Sequence, residues 1–311
     1  MNTLAYGKPS DYTLYQSDLS ENLMYPLQFY IIAFESMFGR HDLRIDRLHR
    51  YVSTFHVTEE RLLRWHRVFG VDPSRQIPFT YVTTSGTMVL LRILSDLGVN
   101  FKFLRHTKNE LYFKQPIKPN AVYSYFTEIT EIIPVREDRV VLEMSTVIQD
   151  VYEQCICIQK DYWLILKLPA ETIKRATAMF NLPAHRGYQF QTLRERNPAL
   201  ETAPAVHLHI PKDRGMQYGK VSGDLNPLHL TNLMAKLFGL ERPFIQGFCT
   251  VNYAIRHFTL ISGCAPRELS TTFVRPIFAG QTVDLSYNAD AFEICDANGK
   301  LLAYGNWNCS H

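Results

Sequence analysis

The stretch from Tyr218 to Phe248, YGKVSGDLNPLHLTNLMAKLFGLERPFIQGF, decides how the rest of this 311-residue chain is read. It sets a carboxylate, an amide and an imidazole close together, at Asp224, Asn226 and His229, with Gly223 ahead of them and Pro227 between. Ser222-Gly223-Asp224 reads as a turn, because glycine accepts positive φ and aspartate bonds nearby backbone. Asn226 fits an N-cap with Pro227 in the first helical position, which predicts a helix running to about Phe238 and ending at Gly239. His229 then falls in the first helical turn and Asp224 on the loop, both able to face one cavity. A buried carboxylate beside an imidazole is a general acid/base pair that can hold and polarise a water. The positive end of the helix is expected to lower the His229 pKa and favour neutral imidazole, which can accept a proton.

Alone, D-x-N-P is a common way to cap a helix. Here S-G-D-x-N-P-x-H is followed by R-P-F-I-Q-G-F (Arg242 to Phe248) and then by F-V-R-P-I-F-A-G-Q-T-V (Phe273 to Val283). These three segments, in this order, resemble the signature of the MaoC-like family of (R)-specific enoyl-CoA hydratases and 3-hydroxyacyl dehydratases, which has the hot-dog fold. The resemblance implies that Asp224 and His229 are the catalytic pair, with Ser222 and Asn226 supporting their loop. It implies that Gly247 gives a backbone N–H to the thioester oxygen, and that Gly223, Pro243, Phe244 and Phe248 bind substrate. One departure stands out: the family usually has His before that glycine, and this chain has Gln246. Because the implied donor is a backbone amide, glutamine there is compatible with activity, and substrate choice and rate are what it bears on.

Composition fits a globular chain with room for two domains: hydrophobic residues make up 46% and charged residues 20%. A formal net charge of +3, with no long basic run, argues against nucleic acid as a partner. Six cysteines lie mostly in apolar runs, without the spacing of common zinc or redox motifs, so free thiols in a reducing cytosol are expected. The N-terminal residues show no signal-peptide pattern, and the apolar stretch from Leu27 to Phe38 is too short to span a bilayer. Met24 to Phe38 reads as a helix after Pro26, packed on the domain, with Phe29, Ile32, Phe34 and Phe38 among its large apolar residues.

The order of elements repeats. Phe113-x-x-Pro116-Ile117-x-x-Asn120-Ala121-Val122 parallels Phe273-x-x-Pro276-Ile277-x-x-Gly280-Gln281-Thr282-Val283, and Pro78-Phe79 before one long apolar stretch parallels Pro243-Phe244 before another. This points to a duplicated α+β unit, each copy a curved antiparallel sheet wrapped round one apolar helix. By resemblance the fold class is a double hot dog. The boundaries expected are an N-terminal extension over 1–45, a first copy over 46–168, a linker over 169–204 and a second copy over 205–311. Where the first copy should carry the motif it reads EERLLRWHRVFGVDPSRQIPF; His66 and Asp72 occur there without the turn and cap that would aim them together. One active site per chain is therefore expected, with the first copy widening the groove through small residues Thr83, Thr84, Ser85 and Gly86.

Other candidates are weaker. His207-Leu208-His209 puts two imidazoles on one strand face, but no acidic or thiol ligand stands near in sequence, so no metal is assigned. Neither G-x-G-x-x-G, a P-loop nor G-x-S-x-G is present. His257 reads as a core or groove residue, and Arg242, Arg256 and Arg275 could meet a phosphate. The resemblance implies reversible hydration of trans-2-enoyl thioesters to (R)-3-hydroxyacyl thioesters, without cofactor, on CoA or on acyl-carrier protein. A thioesterase and a non-catalytic acyl-binding protein stand as alternatives, and the chain could be a monomer or a homodimer.

Overall fold

The computed structural model describes residues 12–14, 25–38, 41–44, 50–70, 81, 86–179, 196–262 and 266–309. Pro78, Phe79, Thr83, Thr84, Ser85, Asp72 and Cys264 lie outside them. In chain order the elements are β1 (Thr13–Leu14), α1 (Tyr25–Phe38), β2 (Arg50–Val57), α2 (Glu59–Phe69), α3 (Thr87–Asp96), β3 (Leu104–Phe113), β4 (Ala121–Arg136), β5 (Arg139–Asp150), β6 (Cys155–Ile165), α4 (Ala170–Met179) and α5 (Pro198–Glu201). There follow β7 (Ala205–His209), α6 (Arg214–Ser222), α7 (Pro227–Leu230), α8 (Asn232–Leu237), α9 (Gly247–Ser262), β8 (Glu268–Phe273), β9 (Thr282–Tyr287), β10 (Ala291–Asp296) and β11 (Leu301–Asn308).

The strands build one sheet in the order β1-β2-β4-β5-β6-β3-β8-β11-β10-β9-β7. Where two sheets were expected there is one, because β3 and β8 pair antiparallel, Lys108 opposite Thr272 and Tyr112 opposite Glu268. On either side of that seam the order is the same for β2–β6 and β7–β11: the first strand of each set lies farthest from the seam, the last three come next, and the second lies at the seam, with the two-residue β1 added beyond β2. The F-x-x-P turns agree bond for bond. Lys114 and Gln115 donate their amides to the Ile156 carbonyl at 2.8 and 3.3 Å, as Val274 and Arg275 do to Leu302 at 2.8 and 3.0 Å. Asn120 and Gly280 both have positive φ, 54° and 83°. Their amides bond back to the ends of β2 and β7, Asn120 to the Val57 carbonyl at 2.7 Å and Gly280 to that of Ile210, just past β7, at 2.8 Å.

Each strand set covers a helix. Val89, Leu90, Ile93 and Leu94 of α3 pack on Ile132, Leu142 and Ile165. Val251, Ala254, Ile255 and Phe258 of α9 pack on Leu285, Ile294 and Leu302, in a core that runs on into Phe55, Trp65 and Phe69 of the first half. Of α1, Ile32 and Ala33 are buried against Met88, whereas Phe34 and Phe38 are exposed, pack on each other, and carry Lys102 Nζ over the Phe38 ring at 4.9 Å. The connection over 169–204 is not featureless, since α4 and α5 lie in it. Among the described residues no helix is long and apolar enough to cross a membrane.

Candidate active site

The site rests on a ladder of local bonds that the sequence SGDLN dictates. Ser222 Oγ accepts the Asp224 amide at 3.2 Å, Asp224 Oδ1 accepts the Asn226 amide at 3.2 Å, and Asn226 Oδ1 accepts the Leu228 amide at 3.1 Å. Each short polar side chain takes the amide two residues on, which locks the loop without a longer element. Asn226 caps α7 with Pro227 at its first position, as the sequence predicts. The single helix expected to reach Phe238 is in fact two, because Thr231 is extended (φ −133°, ψ 140°) and caps α8 through its own side chain. A threonine that can accept the Met234 amide competes with helix continuation, and the break was hidden in an otherwise helical run. Gly239 follows α8 in the left-handed region, with φ 76°.

The ladder leaves His229 buried, 9% exposed, with Nδ1 2.8 Å from the Phe244 carbonyl and its ring edge-on to Phe244. A carbonyl can only accept, so Nδ1 carries the proton and Nε2 presents a lone pair. The His229 pKa is lowered, as expected, but chiefly by burial; the nearby Asp224 carboxylate and the Phe244 carbonyl pull it the other way. The helix end invoked from sequence is the four-residue α7, too short to set that direction.

Two features that support the pair are not in the motif. The polar run before Ser222 folds as α6, and its Gly215 and Gly219 face the loop. A Cβ at Gly215 would overlap the His229 carbonyl oxygen, and one at Gly219 would lie 2.8 Å from the Asp224 carbonyl oxygen. The G-x-x-x-G spacing of 215 and 219 was the available signal. The other feature is Gln246, 1% exposed, whose Nε2 donates to the carbonyls of Gly215 at 3.0 Å and Asp224 at 3.2 Å. It ties α6 to the Ser222–Asn226 loop, a use that a side chain with two amide hydrogens can serve.

Gly247 opens α9, so its amide is among the N–H groups with no partner inside the helix. Phe248 is buried in the core, and Phe244 bridges to Phe278 while Pro243 accepts the Ala279 amide at 2.9 Å. Phe244 thus meets the site through its carbonyl and ring. Gly223 sits at the end of α6 in the left-handed region.

The remaining candidates are engaged elsewhere. His66 is buried on α2, beside Trp65 and Phe69, whose rings pack on Tyr218 of α6 at 5.6 and 6.0 Å. The first half's α2 therefore buttresses the second half's site. His207 pairs with Asp284, an acidic neighbour its sequence surroundings did not show, at 2.5 Å on the surface. Arg275 donates to the Leu301 carbonyl and Arg242 lies over the Phe278 ring. His257 is half-buried on α9 with its pKa lowered by burial and then by Arg256. Among the described residues, no three His, Cys, Asp or Glu side chains converge as metal ligands, and the five described cysteines are free.

With the geometry in view, comparison with known proteins gives the class. The fold is that of MaoC-like, hot-dog proteins: HtdX of Mycobacterium tuberculosis superposes with a TM-score of 0.65 at 16% identity, over 84% of this chain and 100% of that one. Residues 190–298 match the family described as "MaoC like domain", and this part of the chain is a MaoC-like domain. Among sequence relatives, a probable enoyl-CoA hydratase 2 of Dictyostelium discoideum is 32% identical over 77 residues, 24% of this chain and 26% of the relative. The peroxisomal enoyl-CoA hydratase 2 of Arabidopsis thaliana is 37% identical over 71 residues, 21% of this chain and 22% of the relative. The matches thus span about a quarter of these relatives' lengths.

Proposed function

We propose that the chain is a hydro-lyase that reversibly hydrates trans-2-enoyl thioesters to (R)-3-hydroxyacyl thioesters, acting on CoA esters. The observation that carries this is the buried imidazole of His229, its Nδ1 proton committed to Phe244 and its Nε2 left as a base beside Asp224. In this reading the pair holds a water, and His229 Nε2 takes its proton as the oxygen bonds C3. The C2=C3 π electrons move to C1–C2 and those of the C1=O bond shift onto the thioester oxygen, which the Gly247 amide receives at the start of α9, and a proton is then delivered to C2. A donor aimed at that developing charge is worth about 3 to 4 kcal/mol. No cofactor is needed for these steps. We read the architecture as a double hot dog with copies over 46–168 and 205–311, one site per chain, working in the cytosol.

Gln246 in the usual place of histidine favours a second reading, an acyl-thioester-binding protein without turnover. Decay of enoyl absorbance on mixing with crotonyl-CoA and a medium-chain enoyl-CoA separates the two. Decay that Asp224→Asn and His229→Ala each slow by about 100-fold or more, with an (R) product, is the expected outcome. Tight binding with no decay, on CoA or carrier-protein thioesters, would replace the hydratase by the binder.

A further inference from the structure

A second imidazole–carboxylate pair lies beside the start of α9, and it comes from the first half. His106 on β3 places Nε2 2.9 Å from Asp161 Oδ1 on β6. Asp161 is fully buried and its charge is met by amides: Asn109 Nδ2 at 2.9 Å on Oδ1 and Gln159 Nε2 at 2.6 Å on Oδ2. Beside a carboxylate that can only accept, the favoured ring tautomer carries its proton on Nε2. The two groups meet as an ion-pair contact and not as a formed hydrogen bond, since Nε2 has no partner within hydrogen-bond geometry. The ring is fixed by stacking on Trp163, at 4.3 Å and 16°, with Phe273 at 5.0 Å and Phe248 at 5.6 Å. Nδ1 has no hydrogen-bond partner among the described residues and faces Gly247, lying 3.3 Å from the position a Cβ would take there.

Such an arrangement is out of place as simple packing. Burying a carboxylate costs several kcal/mol unless polar groups meet it, and here three side chains are spent on holding one ring. Among the described residues the other half has no such pair at the matching place. Counting five residues on from Ile156 and Leu302, the matching acceptors of the two F-x-x-P turns, Asp161 corresponds to Trp307, which stacks on Phe258 in the core. An apolar residue therefore serves the sheet at that point in one half, and the other half keeps an oriented imidazole aimed across the seam.

We propose that His106, oriented by Asp161, is a further catalytic residue of the thioester site and exchanges the proton at C2. The inference rests on the hydratase reading only for the placement of the thioester oxygen at Gly247; C2 is the next atom but one from that oxygen. In the dehydration direction Nδ1 takes the C2 proton, the C–H electrons pass through C1 to the oxygen on the Gly247 amide, and the enolate then expels the 3-hydroxyl as water with the proton held by His229. In hydration the imidazolium of His106 returns a proton to C2 while His229 takes one from water. Both imidazoles reset through solvent, to which His106 is 14% exposed. The resemblance alone assigns both transfers to Asp224 and His229, whereas this arrangement divides them between two pairs.

The test uses a substrate that cannot lose water. Butyryl-CoA in deuterium oxide, followed by proton NMR, is expected to lose its C2 proton signal in the presence of the full-length protein. His106→Gln should slow that loss by about 100-fold. Asp161→Asn keeps the ring flanked by an amide but turns an N–H toward Nε2, moving the ring proton to Nδ1 and blocking the base, so it should slow the loss comparably. Each variant is compared at matched Tm, and His106→Asn serves where His106→Gln does not fold. Absence of exchange by the parent protein, or exchange indifferent to both substitutions, overturns the proposal even if enoyl-CoA is hydrated. Exchange that needs His106 in a protein that hydrates nothing keeps this proposal and removes the hydratase reading.

Discussion

The two halves of the molecule share a strand order and a turn, yet among the described residues only the second builds a loop held by its own polar side chains. After β2 the first half runs straight into α2, an amphipathic helix capped by Thr58 and ended by Gly70. After its own outermost strand the second half inserts α6, then the Ser222–Asn226 ladder, then two short helices. The difference lies in how polar side chains are used. Thr58 spends its oxygen on starting a long helix, whereas Ser222, Asp224 and Asn226 spend theirs on keeping the chain out of one. In the first half α2 turns Trp65 and Phe69 toward Tyr218 of α6, behind the Ser222–Asn226 loop.

The strongest way to break this contrast is to remove the fit between α6 and the loop. Gly215→Val would force a side chain into the His229 carbonyl, and we expect turnover to fall by more than about 100-fold, with a stability loss of about 3 kcal/mol or more in urea. His66→Ala, the first half's histidine in a comparable stretch, should cost stability and leave turnover per folded molecule within about three-fold. Equal loss of turnover in both variants would mean that the halves share the chemistry of water addition. A smaller effect is expected at Gln246. Gln246→Leu removes two bonds to buried carbonyls, each worth about 1 kcal/mol, and should lower kcat by about 30-fold with little change in KM, because the loop that holds water loosens. A rise in KM alone would make Gln246 a substrate contact.

The imidazole supplies a prediction in pH. Burial lowers the His229 pKa, so the neutral base persists below the ordinary histidine value of about 6.5, and the acid limb of kcat/KM should lie under it. The unfolded chain binds its proton more readily than the folded one, so stability is unaffected by this group above about 6.5 and falls as pH drops below it. Asp224→Asn removes the nearby charge that opposes burial, and an NMR titration of His229 should move further down. An upward move would mean that the carboxylate does not face the ring.

Much of this was written plainly in the chain. The cap at Asn226, the left-handed residue at Gly239 and the repeat of F-x-x-P with its following turn follow from residue types whose local chemistry is strong. What sequence did not show depends on contacts between distant segments. The pairing of β3 with β8 merges the two sheets through backbone groups that carry no residue signature. Thr231 broke a helix by a side-chain bond that competes with a pattern otherwise fully helical. The His106–Asp161 pair is 55 residues apart by number and meets only because β3 and β6 are neighbours in the sheet. Catalytic motifs are compact in sequence when one loop holds them, and this pair spans two strands.

The mildest test concerns the turn that both halves share. Position 280 has φ 83° and position 120 has φ 54°, filled by glycine in one half and asparagine in the other. Asparagine tolerates that region better than alanine because its side chain bonds local backbone. A Cβ at 280 would meet only the Lys212 side chain, at 3.0 Å, which can move aside. Gly280→Ala should therefore cost about 1 kcal/mol and Gly280→Asn about half of that, both without effect on turnover. If the asparagine variant were the less stable of the two by chemical denaturation, the two turns would differ in more than their glycine, and the bond-for-bond match between the halves would stop at the backbone.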